Sequence, residues 1–211
     1  MVGEKKRVPA EAQTRSQKTR REIEAAALQA FSEAGYDATG TRLIADRAGV
    51  KQQLIHYHYG SKLKLWKAVA DGLFDACRER ITRRSEGLKG VDDTTRIQLL
   101  VREFLLFSAE RPELGRFMMH EGGCPGPRLT WLHERHTRDF FEMTREGFEA
   151  VQAKGIAPEG DPVHFVYLLL GATSMFSQAA EVSLRTGQDP RDPEAVQRYV
   201  DLVVRLLLPG I

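Results

Sequence analysis

From Thr19 onward, apolar residues recur three and four positions apart, and nowhere do they alternate with polar ones over the length of a strand. A chain with that one periodicity buries its apolar surface by packing helix on helix, so the expected fold class is all-α. Gly and Pro punctuate it at Gly35, Gly49, Gly87 and Gly90, Arg111-Pro112, residues 122–127, 155–162 and 187–193. Helices are therefore predicted over 19–34, from about Thr41, over 52–57, and from Ser61 to about residues 85–90. The rest of the chain predicts further helices near 92–110, 112–121, 127–154, 162–186 and 193–208. Hydrophobic residues at 42% and charged residues at 28% argue against disorder and membrane insertion. No apolar run reaches the roughly 18 residues a bilayer needs, and the first residues lack a signal-peptide core, so the expected compartment is cytoplasmic. Cys77 and Cys124 have no CxxC spacing, which speaks against a disulfide framework or a structural zinc.

Residues 39–62, TGTRLIADRAGVKQQLIHYHYGSK, read as a helix-turn-helix. Leu43, Ile44 and Ala48 give a short first helix its apolar face, and Gly49 stops it where positive φ is easiest. Val50 fills the angle. The second helix can turn Leu54 and Ile55 inward, leaving Lys51, Gln52, Gln53, His56 and Tyr57 outside with no carboxylate among them. Gln can address adenine N6/N7, while Lys, Tyr and His reach bases or phosphate oxygens. The charge agrees: residues 1–67 hold 13 Lys and Arg against 7 Asp and Glu, net +6, leaving 18 against 22, net −4, for the remainder. Residues 1–18, with Lys5, Lys6, Arg7, Arg15 and Lys18 and no periodicity, read as a flexible basic arm, either a disordered tail or an arm that touches DNA backbone or minor groove. Ser61 is placed to cap the next helix, and Lys62 and Lys64 in its first turn call for a nearby anion such as phosphate.

The segments ALQAFSEAGYDATGT, LIADRAGV and HYHYGSKLKLWKAV, over roughly residues 20 to 68, closely resemble the N-terminal domain of the TetR (tetracycline repressor) family of bacterial transcriptional regulators. His56 stands where that family usually has a phosphate-binding Tyr, and Tyr59 where Phe is usual, a mild aromatic exchange. The resemblance implies a basic arm (1–18), a three-helix DNA-binding domain (19–67) and a helical ligand-binding and dimerisation domain (68–211). It also implies a homodimer joined through its last two helices, binding a palindromic double-stranded operator that a small hydrophobic or amphipathic effector releases. The candidate DNA contacts are Thr41, Arg42, Lys51, Gln52, Gln53, His56, Tyr57, His58 and Lys62. In the family, the Lys matching Lys62 binds backbone phosphate.

The body supports a dimer independently. Helix 162–186 is apolar on nearly all sides (Val163, Phe165, Val166, Leu168, Leu169, Leu170), so one side should meet the subunit core and another, with Gly171 and Ala172, a partner. Helix 193–208 likewise has more apolar residues than one face holds, Leu202, Leu206 and Leu208 lying beyond the seam of Val196, Tyr199, Val200, Val203 and Leu207. Candidate ligand contacts are Phe104, Phe107, Met118, Glu121, Trp131, Phe140, Tyr167, Met175 and Phe176, large or adaptable side chains with a few polar groups among them. His133 and His136, three apart on one helical side, could join His120 or Glu121 at a metal, but no second His/Cys cluster supports this, so no metal or other cofactor is expected. The chain has no GxSxG, phosphate-binding Gly loop or HExxH, so no enzyme is expected. The alternatives are a helical enzyme tethered by a DNA-binding head and a ligand-independent DNA-organising protein.

Overall fold

The computed structural model describes residues 10–210, and every regular element among them is helical. The chain divides into two compact units between Ala70 and Asp71.

The first unit begins with α1 (Ala10–Ala38), where Ile23, Ala26, Ala27, Ala30 and Phe31 form a buried row at helical spacing. Helical geometry breaks at Gly35 (φ 75°), where the sequence ends the helix. The segment from Ala10 to Lys18, expected to be arm, is instead the first turns of α1; residues 1–9, with Lys5, Lys6 and Arg7, lie outside the described residues. The helix there has Arg15, Gln17 and Lys18 in solvent, so intrinsic propensity rather than an apolar face carries it. Past Gly35, fully buried Thr39 donates its hydroxyl to the carbonyls of Ala30 (3.0 Å) and Gly35 (2.6 Å), tying the loop to the end of the helix. Tyr36 stacks on Phe31 and meets Trp66 edge-on. Then come α2 (Thr41–Ala48), α3 (Gln52–Tyr59) and α4 (Lys62–Glu86), whose Leu65, Trp66, Val69 and Ala70 complete this core.

In the second unit, α4 buries Leu73, Cys77 and Ile81. There follow α5 (Asp93–Glu110), α6 (Glu113–Gly122) and α7 (Pro127–Leu132), then a π-turn at His133–Thr137 and α8 (Arg138–Gln152). The helix predicted over 127–154 is thus interrupted. The π-turn adds a residue to one turn and so rotates the helix beyond it: His133 is exposed and His136 buried, not on one side as a regular helix would place them. His136 stacks on Phe74, its Nδ1 accepts from Arg78 at 3.3 Å, and its Nε2 lies 3.0 Å from Asp71 Oδ1.

Asp161 and Asp192 cap α9 (Pro162–Ala172) and α12 (Pro193–Leu207), each with Pro in the first turn and a carboxylate accepting first-turn amides at 2.9–3.3 Å. The single helix expected over 162–186 is broken into α9, α10 (Ser174–Ser177) and α11 (Ala179–Thr186), with a 69° bend at Gln178. Thr173 donates back to the Leu170 carbonyl at 2.7 Å, a contact that opens helices, and Arg116 Nε donates to the Ser177 carbonyl at 3.0 Å. The bend lays Ser177 directly on Gly115, where an added Cβ would stand 2.2 Å from Ser177 Oγ.

Gly115→Ala should therefore destabilise the protein by about 1–3 kcal/mol through overpacking against α10, read by urea unfolding; an unchanged midpoint would mean that Ser177 yields freely. For His136, burial lowers the pKa below the usual histidine value, partly opposed by the Asp71 carboxylate. As the pH falls below about 6.5, the unfolded chain binds a proton that the folded one refuses, so stability present above that pH is lost on acidification. Unfolding at pH 7.5 and 5.5 should show a larger acid loss for the parent than for His136→Gln; equal losses would place the sensitivity elsewhere.

Candidate nucleic-acid interface and ligand cavity

The turn between α2 and α3 is set by Gly49 at φ 65°, the left-handed region that costs other residues steric energy, with the amide of Val50 returning to the Ala45 carbonyl at 3.0 Å. The inner face of α2 is Ile44 and Ala45; Leu43, expected inside, is 39% exposed, because it stands about 100° around the helix from Ile44. In α3, Ile55 and Tyr59 are buried one turn apart, with Leu54 half-buried beside them. The Tyr59 hydroxyl donates to Glu24 Oε1 at 2.8 Å and lies 3.3 Å from the Arg20 carbonyl, while the Arg20 guanidinium rests over its ring. Burial and the Glu24 bond push the phenol pKa far up. The hydroxyl that distinguishes this position from Phe therefore ties α3 to α1.

With that side buried, Lys51, Gln52, Gln53, His56 and Tyr57 are all exposed, Tyr57 at 78%. Gln52 Nε2 donates to Thr41 Oγ1 at 2.8 Å, pairing the first residues of the two helices. Arg42 is exposed and His58 half-buried between the rings of Tyr57 and Tyr59. Lys62 is half-buried, its ammonium 4.2 Å from the centroid of the Tyr36 ring, a cation–π contact at the start of α4. Ser61 Oγ accepts from the Lys64 amide at 3.2 Å, so the cap read from the sequence is present.

In the second unit a cavity of about 50 Å³ lies among α4, α5, α8 and α9. Of the candidate ligand residues, Phe104 and Phe140 line it, their rings 5.1 Å apart. The others do not. Phe107 is buried under Arg80, Phe176 against Tyr199, and Trp131 meets His136 edge-on. Glu121 is buried in an ion pair with Arg128 at 2.9 Å, and Met118 and Met175 are half-buried. Tyr167 is 63% exposed, outside any enclosed site in the protomer. The remaining wall is Ile97, Leu100 and Val101 of α5 and Met143, Thr144 and Phe148 of α8, together with Ile81 of α4 and Leu169 of α9. Their spacing along α5 and α8 marks one inward face, but core and cavity walls share that pattern, so the sequence did not separate them.

Residues 23–69 match the family model described as bacterial regulatory proteins, tetR family. The chain is 26% identical to the HTH-type transcriptional regulator RutR of Escherichia coli over 197 residues, covering 90% of this chain and 88% of RutR. Its fold is similar to that of AibR in complex with isovaleryl coenzyme A and operator DNA (TM-score 0.70, 16% identity, 92% of this chain and 100% of that one). It is also similar to a bacterial regulatory protein in the tetR family from Rhodococcus (TM-score 0.69, 21% identity, 90% of this chain and 96% of that one). With an α2–turn–α3 head inside the matched segment, residues 23–69 are the DNA-binding domain of the bacterial tetR family of regulatory proteins, joined to an all-helical body that is similar to RutR along nearly its whole length.

Proposed function

We propose that this regulator is a homodimeric repressor, acting on DNA in the cytoplasm, whose α3 helices read the two halves of a palindromic operator and release it when a small molecule occupies the body. The observation that carries the reading is the outer face of α3, where Lys51, Gln52, Gln53, His56 and Tyr57 all stand in solvent without a carboxylate. Such a face suits the major groove, with Gln for adenine edges and Lys, His and Tyr for phosphates or bases. Arg42 and Lys62 flank it as backbone contacts, and Thr41 orients Gln52. By function the chain divides into a head, of which α1 is part, that runs to residue 67 and a body from residue 68.

Dimerisation accounts for a second feature. On α9, Tyr167, Leu168 and Gly171 are exposed, and on α12 so are Leu202 and Leu206, the last at 66%. Apolar residues in such a row mark a surface that another protein covers, and a second copy offers the same row by two-fold symmetry. The effector's place is the cavity among α4, α5, α8 and α9; AibR, solved with both isovaleryl coenzyme A and operator DNA, supports pairing a ligand in the body with DNA at the head. Release requires only that the effector favour the form that fits the operator less well. A catalytic role has less support, since the buried Glu121 and His136 are already engaged by Arg128 and by Asp71 and Arg78, and burial pushes the Cys77 thiol up to about 11, away from the reactive thiolate.

An operator obtained by in vitro selection tests the first part by fluorescence anisotropy. Gln53→Ala should relax preference at particular base pairs by roughly 1–3 kcal/mol, while Lys62→Ala should weaken all sequences alike and lower the salt slope by about 0.9. Equal weakening of specific and random DNA by both would displace α3 from the groove. Leu168→Glu and Leu206→Glu, at positions exposed in the protomer, should leave a folded monomer with much weakened operator binding; a dimer on sedimentation would move the interface elsewhere.

A further inference from the structure

The cavity's wall also says what kind of molecule it accepts. Among the described residues no ionisable side chain lines it: nine of its ten residues are aliphatic, aromatic or Met, and the tenth is Thr144. Thr144 donates its proton to the Phe140 carbonyl at 2.7 Å, so its hydroxyl offers a guest only acceptor lone pairs. A carboxylate or phosphate there would meet neither a cation nor a donor, and an ammonium would meet no carboxylate. Burying either charge unpaired is prohibitive. An aliphatic group fits without such cost, and a neutral hydroxyl or amide N–H can donate to Thr144.

Size and access narrow the class further. About 50 Å³ holds only a few heavy atoms, on a scale where one water in the liquid takes about 30 Å³. Enlargement falls to Met143, 46% exposed at the wall and unbranched with three rotatable bonds, which can swing aside where Phe104, Phe148 and Leu169, all buried, cannot. Resting on the ligand cavity assigned above, we propose that the effector is an uncharged aliphatic compound, an alkyl chain carrying at most one neutral hydrogen-bond donor, which enters past Met143 and sets that donor on Thr144.

Hexan-1-ol, hexanoate and hexylammonium, equal in chain length and different in charge, test this at pH 7 by titration calorimetry and thermal shift on the full-length protein. Hexan-1-ol should bind at least roughly tenfold more tightly than either ion. Val101→Phe, which fills the cavity, should abolish that binding. Thr144→Val, which keeps the shape and removes the acceptor, should bring hexan-1-ol down to the level of hexane. Binding of hexanoate as tight as that of the alcohol, binding unaltered by both substitutions, or no binding of any probe would overturn the proposal. Anisotropy on the selected operator separates the two readings. If the alcohol binds the cavity and the operator stays bound, the repressor reading fails and the ligand class stands. If hexanoate alone releases the operator, the ligand class fails and the repressor reading stands.

Discussion

Ile55 and Tyr59 stand one turn apart on α3 and both face inward, and what the head offers to a duplex depends on their burial. A two-turn helix is too short to be stable alone, so packing must hold it. Ile55 supplies apolar burial, and Tyr59 adds the bond from its hydroxyl to Glu24 of α1. Once this inner row is pinned, helical geometry forces Gln52, Gln53, His56 and Tyr57 outward. The same constraint gives the substitution of Tyr for the family's usual Phe its meaning: the ring fills the same place, and the hydroxyl adds a link between the recognition helix and α1.

The body meets a different constraint, the satisfaction of backbone groups where helices break. A 69° bend interrupts the ladder of α9 to α11 and frees carbonyls that need donors in a partly buried setting. Arg116 supplies one to Ser177, and Gly115 gives α10 room to approach α6. The ion pairs of α5, from Arg80 to Glu103 and Glu110 and from Arg102 to Asp201 of α12, frame the same bundle with half-exposed groups that add little individually. The wall of the cavity beside Phe104 and Phe140, unlike the body's interior at Glu121 and His136, is nearly pure hydrocarbon, and its chemical preference follows from that. What remains outside on α9 and α12 is an apolar row that one protomer alone leaves in water.

By itself the sequence determined the all-α class, most helix ends and the two faces of α3. These come from neighbours in the chain: an apolar residue every three or four positions, Gly35 and Gly49 at positive φ, and Asp161-Pro162 and Asp192-Pro193 as ready-made helix starts. The start of α1 at Ala10 has no apolar periodicity in the sequence to mark it, and Thr14, Arg15, Gln17 and Lys18 there stand in solvent. The π-turn at His133–Thr137, the break of residues 162–186 and the membership of the cavity belonged to the tertiary structure alone. Each depends on a partner far along the chain. His136 turns inward where Asp71 and Arg78 can hold it, and Ser177 bends away where Arg116 can take its carbonyl. Phe140 lines a cavity and Phe176 fills a core, though both are large apolar residues on helices, because Phe140 packs beside Phe104 on the wall of an unfilled space while Phe176 is closed over by Tyr199. A local pattern shows that a side chain turns inward; what it meets there is settled only when distant helices are brought together.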